Sequence, residues 1–158
     1  MDKIRVEELL ADDFEKIIEI ESRAYSVPWK REVMEKIFQQ DLKRIKLIYQ
    51  EQLAGYAFLS SVLDEGHLLH ITIDPNYQGL GLGRRLLQYI LELGQQKGLS
   101  SIFLEVGEGN TPARGLYQSI GFNEIGLRKG YYPCKDGSRE DAIVMAYTIF
   151  EPNVRPAL

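Results

Sequence analysis

Cysteine, histidine and long apolar runs are scarce in this 158-residue sequence, and each scarcity excludes a class of protein. The single cysteine, Cys134, cannot form an intrachain disulfide, which is typical of a reducing compartment. One cysteine and two histidines leave no cluster with metal-ligand spacing, and no apolar run approaches the ~20 residues that span a bilayer. We therefore expect a cytoplasmic protein with neither a bound metal nor a membrane segment.

The overall charge is slightly acidic, with 19 Lys and Arg against 23 Asp and Glu and a formal net charge of −4. The basic residues are scattered, whereas binding to nucleic acid needs them clustered, so we do not expect nucleic acid as the main ligand. An acidic excess suits a positively charged substrate, such as an amine on a basic polypeptide. The same excess also simply keeps a protein in solution, and charge alone favours this second explanation.

Hydrophobic periodicity predicts one α/β domain over residues 1–150 and a short C-terminal tail over residues 151–158. The element order β-α-α-β-β-β-α-β-α-β-β indicates a mixed sheet. We expect a hairpin at Glu51-Gln52 and a loop that contains Tyr131-Tyr132-Pro133. The predicted strands are residues 3–9, 44–50, 53–63, 67–74, 101–106, 122–127 and 142–148, and the predicted helices are residues 13–24, 31–39, 82–97 and 110–119.

A glycine-rich turn joins the fourth predicted strand to the third helix, and Arg84 and Arg85 follow in the first helical turn. Unpaired N–H groups at a helix start bind anions, and glycine lets the backbone approach phosphate oxygens. The turn fits neither a dinucleotide fingerprint, because position 84 is arginine, nor a P-loop, because no Gly-Lys-Ser/Thr follows. A glycine-rich connection without a ligand remains the alternative. The turn reads Gln78-Gly79-Leu80-Gly81-Leu82-Gly83.

This turn resembles the coenzyme signature Gln/Arg-x-x-Gly-x-Gly/Ala of the GNAT superfamily of N-acetyltransferases, and the resemblance runs from about Val6 to Tyr147. Within the superfamily the chain is similar to the RimI-type family, which acetylates the N-terminal alanine of a small-subunit ribosomal protein. It departs from the family at Gly107-Glu108-Gly109, which is richer in glycine than usual. The matching motifs are Pro28-Trp29, Val62-Leu63-Asp64-Glu65, Leu104-Glu105-Val106 with Asn110, Leu116-Tyr117 with Gly121-Phe122, and Tyr131-Tyr132-Pro133 with Arg139-Glu140-Asp141-Ala142.

The resemblance implies a GNAT fold, a mixed and mostly antiparallel sheet of about six to seven strands flanked by four helices. It also implies acetyl-CoA as the co-substrate. The backbone of one strand edge would meet the acetyl and pantetheine portion, the glycine turn would hold the diphosphate, and an asparagine would contact the coenzyme. Carried over to this chain, these are Ile71, Thr72 and Ile73 for the strand edge, Gln78, Gly79, Leu80, Gly81, Leu82, Gly83 and Arg84 for the turn, and Asn110.

By the same resemblance Glu105 would be the general base and Tyr117 the general acid. From the residues alone, Glu105 lies in an otherwise apolar strand, and its alternative is a strand-edge glutamate that faces water. Tyr117 shares an apolar helix face with Leu116 and Ile120, so its alternative is a core residue. Asn110 can also simply cap its helix, which is compatible with coenzyme binding.

The substrate residues that we predict form an acidic and aromatic mouth for a peptide N-terminus: Glu21, Trp29, His70, Tyr131 and Tyr132. Glu21 lies on the apolar face of the first helix, and His70 points away from Ile71 and Ile73, where it can act as an auxiliary base. The expected partner is a ribosomal protein N-terminus, and we expect a monomer or weak dimer. A lysine or small-molecule amine remains an alternative acceptor, and a non-catalytic coenzyme-binding module a further alternative.

Overall fold

The computed structural model of the protein describes residues 3–149, which contain seven strands, four α-helices and two short 3₁₀ turns. The predicted order of strands and helices is confirmed, and the predicted tail, residues 151–158, lies outside the described residues. The elements are β1 (Ile4–Glu8), α1 (Phe14–Ala24), α2 (Arg31–Gln39), β2 (Lys43–Tyr49), β3 (Gln52–Val62), β4 (Glu65–Ile73), α3 (Leu82–Gln96), β5 (Ser101–Gly107), α4 (Thr111–Ile120), β6 (Asn123–Pro133) and β7 (Arg139–Thr148), with the 3₁₀ turns at Ala11–Asp13 and Pro75–Tyr77.

The strands form one seven-stranded sheet in the order β1-β2-β3-β4-β5-β7-β6. The pairs β1–β2, β2–β3, β5–β7 and β6–β7 are antiparallel, and β4 pairs with β5 in parallel. The mixed, mostly antiparallel sheet with four helices is therefore confirmed. The predicted hairpin between β2 and β3 turns at Gln50 and Glu51, whose φ angles of 50° and 66° suit the tight turn that joins two twisted strands.

The described chain divides into two compact units, and β3 and β4 contribute residues to both. One unit comprises the chain up to Ser60 together with Leu69–Tyr89. The other comprises Ser61–Leu68 together with the chain from Ile90 onwards. The single-domain boundary at residue 150 stays a prediction.

The core of the first unit forms where α1 and α2 cover β3. Apolar residues on α1 recur three or four positions apart, which gives the helix one face that is buried against the sheet. Asp13 stands at the N-terminus of α1, but its carboxylate accepts hydrogen bonds from the Leu10 N–H and from Lys46, both at 2.8 Å, and does not cap α1. The buried cluster contains Leu9, Ile17, Ile20, Met34, Ile37, Tyr56 and Phe58.

The last hairpin corrects the prediction of a loop at residues 131–133. β6 continues to Pro133, and Tyr132 and Pro133 pair with Glu140 and Arg139 of β7. The register of β6 against β7 is irregular between Arg128 and Tyr132. Proline is tolerated there because β6 is an edge strand, where a missing N–H leaves no ladder bond unmade.

Gly55 of β3 allows the backbone of β4 to approach closely, and we predict that Gly55→Ala destabilises the protein. An added Cβ would lie 2.6 Å from Ile73 Cδ1 and 2.8 Å from the Thr72 carbonyl oxygen. This oxygen is a backbone atom of β4, so it cannot move away without displacing the strand. Overpacking of this kind costs about 1–3 kcal/mol, which urea denaturation measures.

The matched control for this prediction is Gly115→Ala in α4. A Cβ there meets nothing within 4 Å, so the change should stabilise the protein by about 0.5–1 kcal/mol through helix propensity. A Gly55→Ala protein as stable as the parent would contradict the close approach of β3 and β4.

Candidate functional site

The glycine turn after β4 adopts a conformation that only glycine takes up easily. Gly79 and Gly81 have φ angles of 80° and 76°, in the left-handed region. A Cβ on either residue would meet nothing within 4 Å, so these glycines are required for backbone conformation and not for space within the protein. The turn therefore presents its backbone to open space.

Helix α3 begins directly after this turn, where the Arg85 N–H donates to the Gly81 carbonyl oxygen at 3.2 Å. Its side chains anchor the helix, because Leu82, Leu86 and Leu87 are buried. The first N–H groups of a helix have no acceptor within that helix, and the helix dipole makes this end partly positive. An exposed turn that leads into such a helix start fits a diphosphate group.

A buried aspartate supports the start of the turn. The Asp74 carboxylate accepts a hydrogen bond from Arg23 at 2.7 Å and from the Asn76 N–H at 3.0 Å, and its own N–H donates to the Ala54 carbonyl oxygen at 2.8 Å. These contacts join the turn to α1 and to β3. Neither Arg23 nor Asp74 was identified from sequence, although an aspartate directly before a proline is a common turn signal.

The strand edge predicted to meet the coenzyme is held in place by Tyr25. The Tyr25 hydroxyl hydrogen-bonds to the Thr72 hydroxyl at 2.9 Å and to the Ile71 carbonyl oxygen at 3.2 Å. Burial raises the pKa of Tyr25 to about 12, so the phenol stays protonated at neutral pH. Thr72 is buried, while Ile71 and Ile73 are half-buried.

Three of the five predicted substrate residues come together around a buried carboxylate. Glu21 is 1% exposed, and one of its oxygens contacts His70 Nε2 at 2.7 Å and accepts a hydrogen bond from the Tyr56 hydroxyl. Its other oxygen accepts from the Trp29 N–H at 2.9 Å. The Trp29 ring stacks on His70 with 4.1 Å between the ring centroids. Glu21, Trp29 and His70 therefore form one hydrogen-bonded and stacked cluster, whose fourth member, Tyr56, was missed from sequence.

The pKa of Glu21 lies below its usual value despite burial. Burial alone would raise this pKa, but His70, Tyr56 and the Trp29 N–H stabilise the charged form and outweigh it. The same carboxylate raises the pKa of Tyr56, whose burial acts in the same direction.

In the second unit, Glu105 of β5 lies on the face opposite to the buried Leu104 and Val106. Its side chain is 24% exposed, and Arg128 Nε lies 3.3 Å from Glu105 Oε1. Burial and the neighbouring Glu105 carboxylate raise the pKa of Tyr131. The structure thus brings Glu105 and Tyr131 together. The sequence did not point to Arg128, because the predicted strand ended one residue before it.

Tyr117 is buried in α4, and its ring lies 5.9 Å from that of Phe122. Asn110 caps the helix through its side-chain oxygen, which accepts from the Ala113 N–H at 3.4 Å, so the predicted cap is confirmed. Its contact with the coenzyme stays a prediction. Tyr132 lies beside Tyr131 in β6, with 5.0 Å between the ring centroids.

The unusual glycines after Glu105 make room for Glu140 of β7. A Cβ on Gly107 would lie 2.3 Å from a Glu140 carboxylate oxygen, and the Gly109 N–H donates to Glu140 at 3.0 Å. Any larger residue at position 107 would displace this carboxylate.

Residues 3–149 contain no group of three or more His, Cys, Asp or Glu side chains placed to hold a metal ion. Among the helices of this described range, none is both long and apolar enough to cross a membrane.

Comparisons with known proteins agree with the resemblance seen in the sequence. The model of the acetyltransferase (GNAT) family matches residues 14–122. The [ribosomal protein bS18]-alanine N-acetyltransferase of Haemophilus influenzae is 43% identical over 141 residues, which are 89% of this chain and 96% of the relative. Its Escherichia coli K12 counterpart is 40% identical over 82% of this chain and 87% of the relative. The crystal structure of the ribosomal-protein-S18-alanine N-acetyltransferase from Escherichia coli superposes with a TM-score of 0.88 at 35% identity, covering 97% of this chain and 99% of that one.

We predict that Glu21→Gln destabilises the protein in a way that depends on pH. The amide cannot supply the charge that its three partners bind, which costs about 1–3 kcal/mol at neutral pH. Because the folded-state pKa of Glu21 is lowered, the charge stabilises the fold above the ordinary value of 4.5 and this contribution is lost as pH falls below it. The difference in unfolding free energy between parent and variant should therefore shrink in acid.

Glu19→Gln is the matched control, because it removes the same charge from an exposed position on α1. It should change stability by less than about 0.5 kcal/mol. A Glu21→Gln difference that stays constant from neutral pH to below pH 4 would contradict the assignment of Glu21 as a stabilising carboxylate.

Proposed function

The chain belongs to the acetyltransferase (GNAT) family, and on this basis we propose that it transfers the acetyl group of acetyl-CoA to the N-terminal α-amine of a protein, with the N-terminal alanine of ribosomal protein bS18 as its substrate. The choice of substrate is supported by the similarity to bS18-alanine N-acetyltransferases, which extends along 82–89% of the chain at 39–43% identity. A ribosomal substrate also supports a cytoplasmic location.

The coenzyme side of the proposal rests on the first unit. The exposed turn from Gln78 to Gly83 and the start of α3 would hold the diphosphate, because left-handed glycines and helix N–H groups suit an anion. Arg84 adds positive charge in the first helical turn. The backbone of Ile71–Ile73 would bind the pantetheine portion. The family resemblance adds Asn110 as a coenzyme contact. Acetyl-CoA supplies the activated thioester when it is bound.

The proton transfers are assigned to the second unit. Glu105 would accept a proton from the attacking amine, directly or through water, and an N-terminal amine with a reference pKa near ~8 gives up this proton more easily than a lysine near ~10.4. The Tyr117 hydroxyl would donate a proton to the departing thiolate. Support comes from the incomplete burial of Glu105, which leaves one side open to an acceptor, and from the fixed packing of Tyr117 against Phe122.

The substrate side is assigned to the five residues of the predicted mouth. Glu21 is too deeply buried for its oxygens to meet a peptide while they keep their present partners, so we assign it an indirect role in which it orients His70 and Trp29. His70 is the auxiliary base of the proposal. Tyr131 and Tyr132 would bind the first residues of the peptide.

The test is an acetylation assay with two peptides that copy the substrate's first residues, one with a free N-terminal alanine and one with that amine blocked. A lysine is built into both peptides as an alternative acceptor. We expect mass spectrometry to detect one added acetyl group on the free peptide and none on the blocked peptide. Tyr117→Phe should lower the turnover number by roughly 10²-fold with little change in KM for acetyl-CoA, because it removes only the donated proton.

Tyr147→Phe is the control for the tyrosine variant, since Tyr147 also packs against Phe122, with 5.4 Å between the centroids, and has no assigned role. It should keep the parent turnover. Acetylation of lysine in the blocked peptide would replace the proposal with a lysine acetyltransferase. Binding of acetyl-CoA without transfer to any amine would make the protein a coenzyme-binding module.

A further inference from the structure

We propose that Arg128 is a positioning residue for the amine acceptor: it acts through Glu105 and keeps the bound amine in its neutral, reactive form. The inference rests on the proposed function, because it takes Glu105 as the site at which the amine loses its proton. Arg128 has no part in the predictions made from sequence, and its contacts with Glu105 and Tyr131 suggest the role.

The register of the sheet places Arg128 on the same face as Glu105. Glu105 pairs with Val144 on β7, and the neighbouring pair on that face is Gly107 with Ala142. Arg128 of β6 pairs with the same Ala142 from the other side of β7. Because paired residues share a face of the sheet, the long arginine side chain reaches across β7 to the glutamate.

Arg128 contacts both Glu105 and Tyr131. The guanidinium approaches Glu105 with 3.3 Å between Nε and Oε1 and lies over the Tyr131 ring at 5.3 Å from its centroid. The Glu105 carboxylate and the Tyr131 ring therefore flank the same guanidinium, which restricts the arginine to one side of the carboxylate.

The exposure of this ion pair indicates a role other than stability. The Arg128 side chain is 56% exposed and that of Glu105 is 24% exposed, and ion pairs in contact with water contribute little to folding. Loss of the guanidinium should leave the fold intact. A change in catalysis by an Arg128 variant can therefore be attributed to its charge.

The charge of Arg128 acts on the protonation of the acceptor. A carboxylate alone would stabilise the ammonium form of a bound amine, and that form cannot attack a thioester. A guanidinium on the same carboxylate offsets this attraction and stays charged across the whole range in which the amine titrates. The acceptor is then bound as the neutral amine, and Glu105 takes up the proton that its nitrogen releases once it has attacked the thioester.

Three other charged or titratable groups near this face, among the residues that the structure describes, have partners elsewhere. His67 of β4 stacks on Phe103, Glu140 of β7 accepts from the Gly109 N–H, and Asp141 accepts from the Gly130 N–H. Each of them is engaged elsewhere, and Tyr131 is a further titratable group beside Arg128. The pH dependence is therefore assigned to Arg128 acting through Glu105.

The test compares the pH profiles of full-length Arg128→Gln and the parent with the free alanine-starting peptide. Without the guanidinium the bound amine should hold its proton more tightly. We expect the pH of half-maximal kcat to rise by about one unit, which lowers kcat at neutral pH about tenfold. KM for the peptide should fall in parallel, because the ammonium form then binds better.

Two further variants separate charge from packing. Arg128→Lys retains the positive charge and should restore most of the parent pH profile. Lys129→Gln removes a charge from the adjacent exposed position of β6 and should behave as the parent. A loss of kcat that is equal at every pH, a rise in KM, or an unchanged Arg128→Gln profile would each overturn the proposal.

Failure of the proposal for Arg128 can be distinguished from failure of the proposed function. If the parent protein acetylates lysine or a small amine instead of the peptide N-terminus, the assigned substrate is wrong, and the same comparison is made with that acceptor. The expected direction for Arg128→Gln remains the same, because the inference concerns the amine at Glu105 and not the identity of its carrier.

Discussion

The left-handed backbone at Gly79 and Gly81 is the constraint on which the functional interpretation depends. It follows the 3₁₀ turn after β4 and leads directly into α3, whose first N–H groups are unpaired within the helix. Any side chain at these two positions would strain the backbone. The sequence of the turn is thus explained by its conformation, and this conformation suits the anionic ligand that we propose.

Two buried carboxylates hold the surroundings of this turn. Asp74 joins the turn to Arg23 of α1. Glu21 joins the same helix to His70 of β4. Buried charges are costly unless they are fully hydrogen-bonded, and both carboxylates have at least two partners. Helix α1 is therefore connected at two points to the strand and turn that are assigned to the coenzyme.

Sequence reasoning succeeded where the signal is local. The spacing of apolar residues predicted α3 and α4, and the glycines predicted the turn, because helix periodicity and φ preference are properties of adjacent residues. Glu21 attracted notice as a charge on an apolar helix face, and the structure buries it. The partner Tyr56 lies 35 positions away, and no pattern in the sequence connects the two. Arg128 of β6 meets Glu105 of β5 across β7, which lies between these two strands. This contact depends on strand order and register, which the sequence does not display.

The most direct test of the central claim is a calorimetric titration of the protein with acetyl-CoA and with S-acetylpantetheine, which lacks the nucleotide and its diphosphate. Two charge-assisted hydrogen bonds from the turn, at about 1.5–3 kcal/mol each, predict that acetyl-CoA binds at least ~100-fold more tightly. Equal affinities for the two compounds would contradict the account, because the glycine turn would then have no anion to bind.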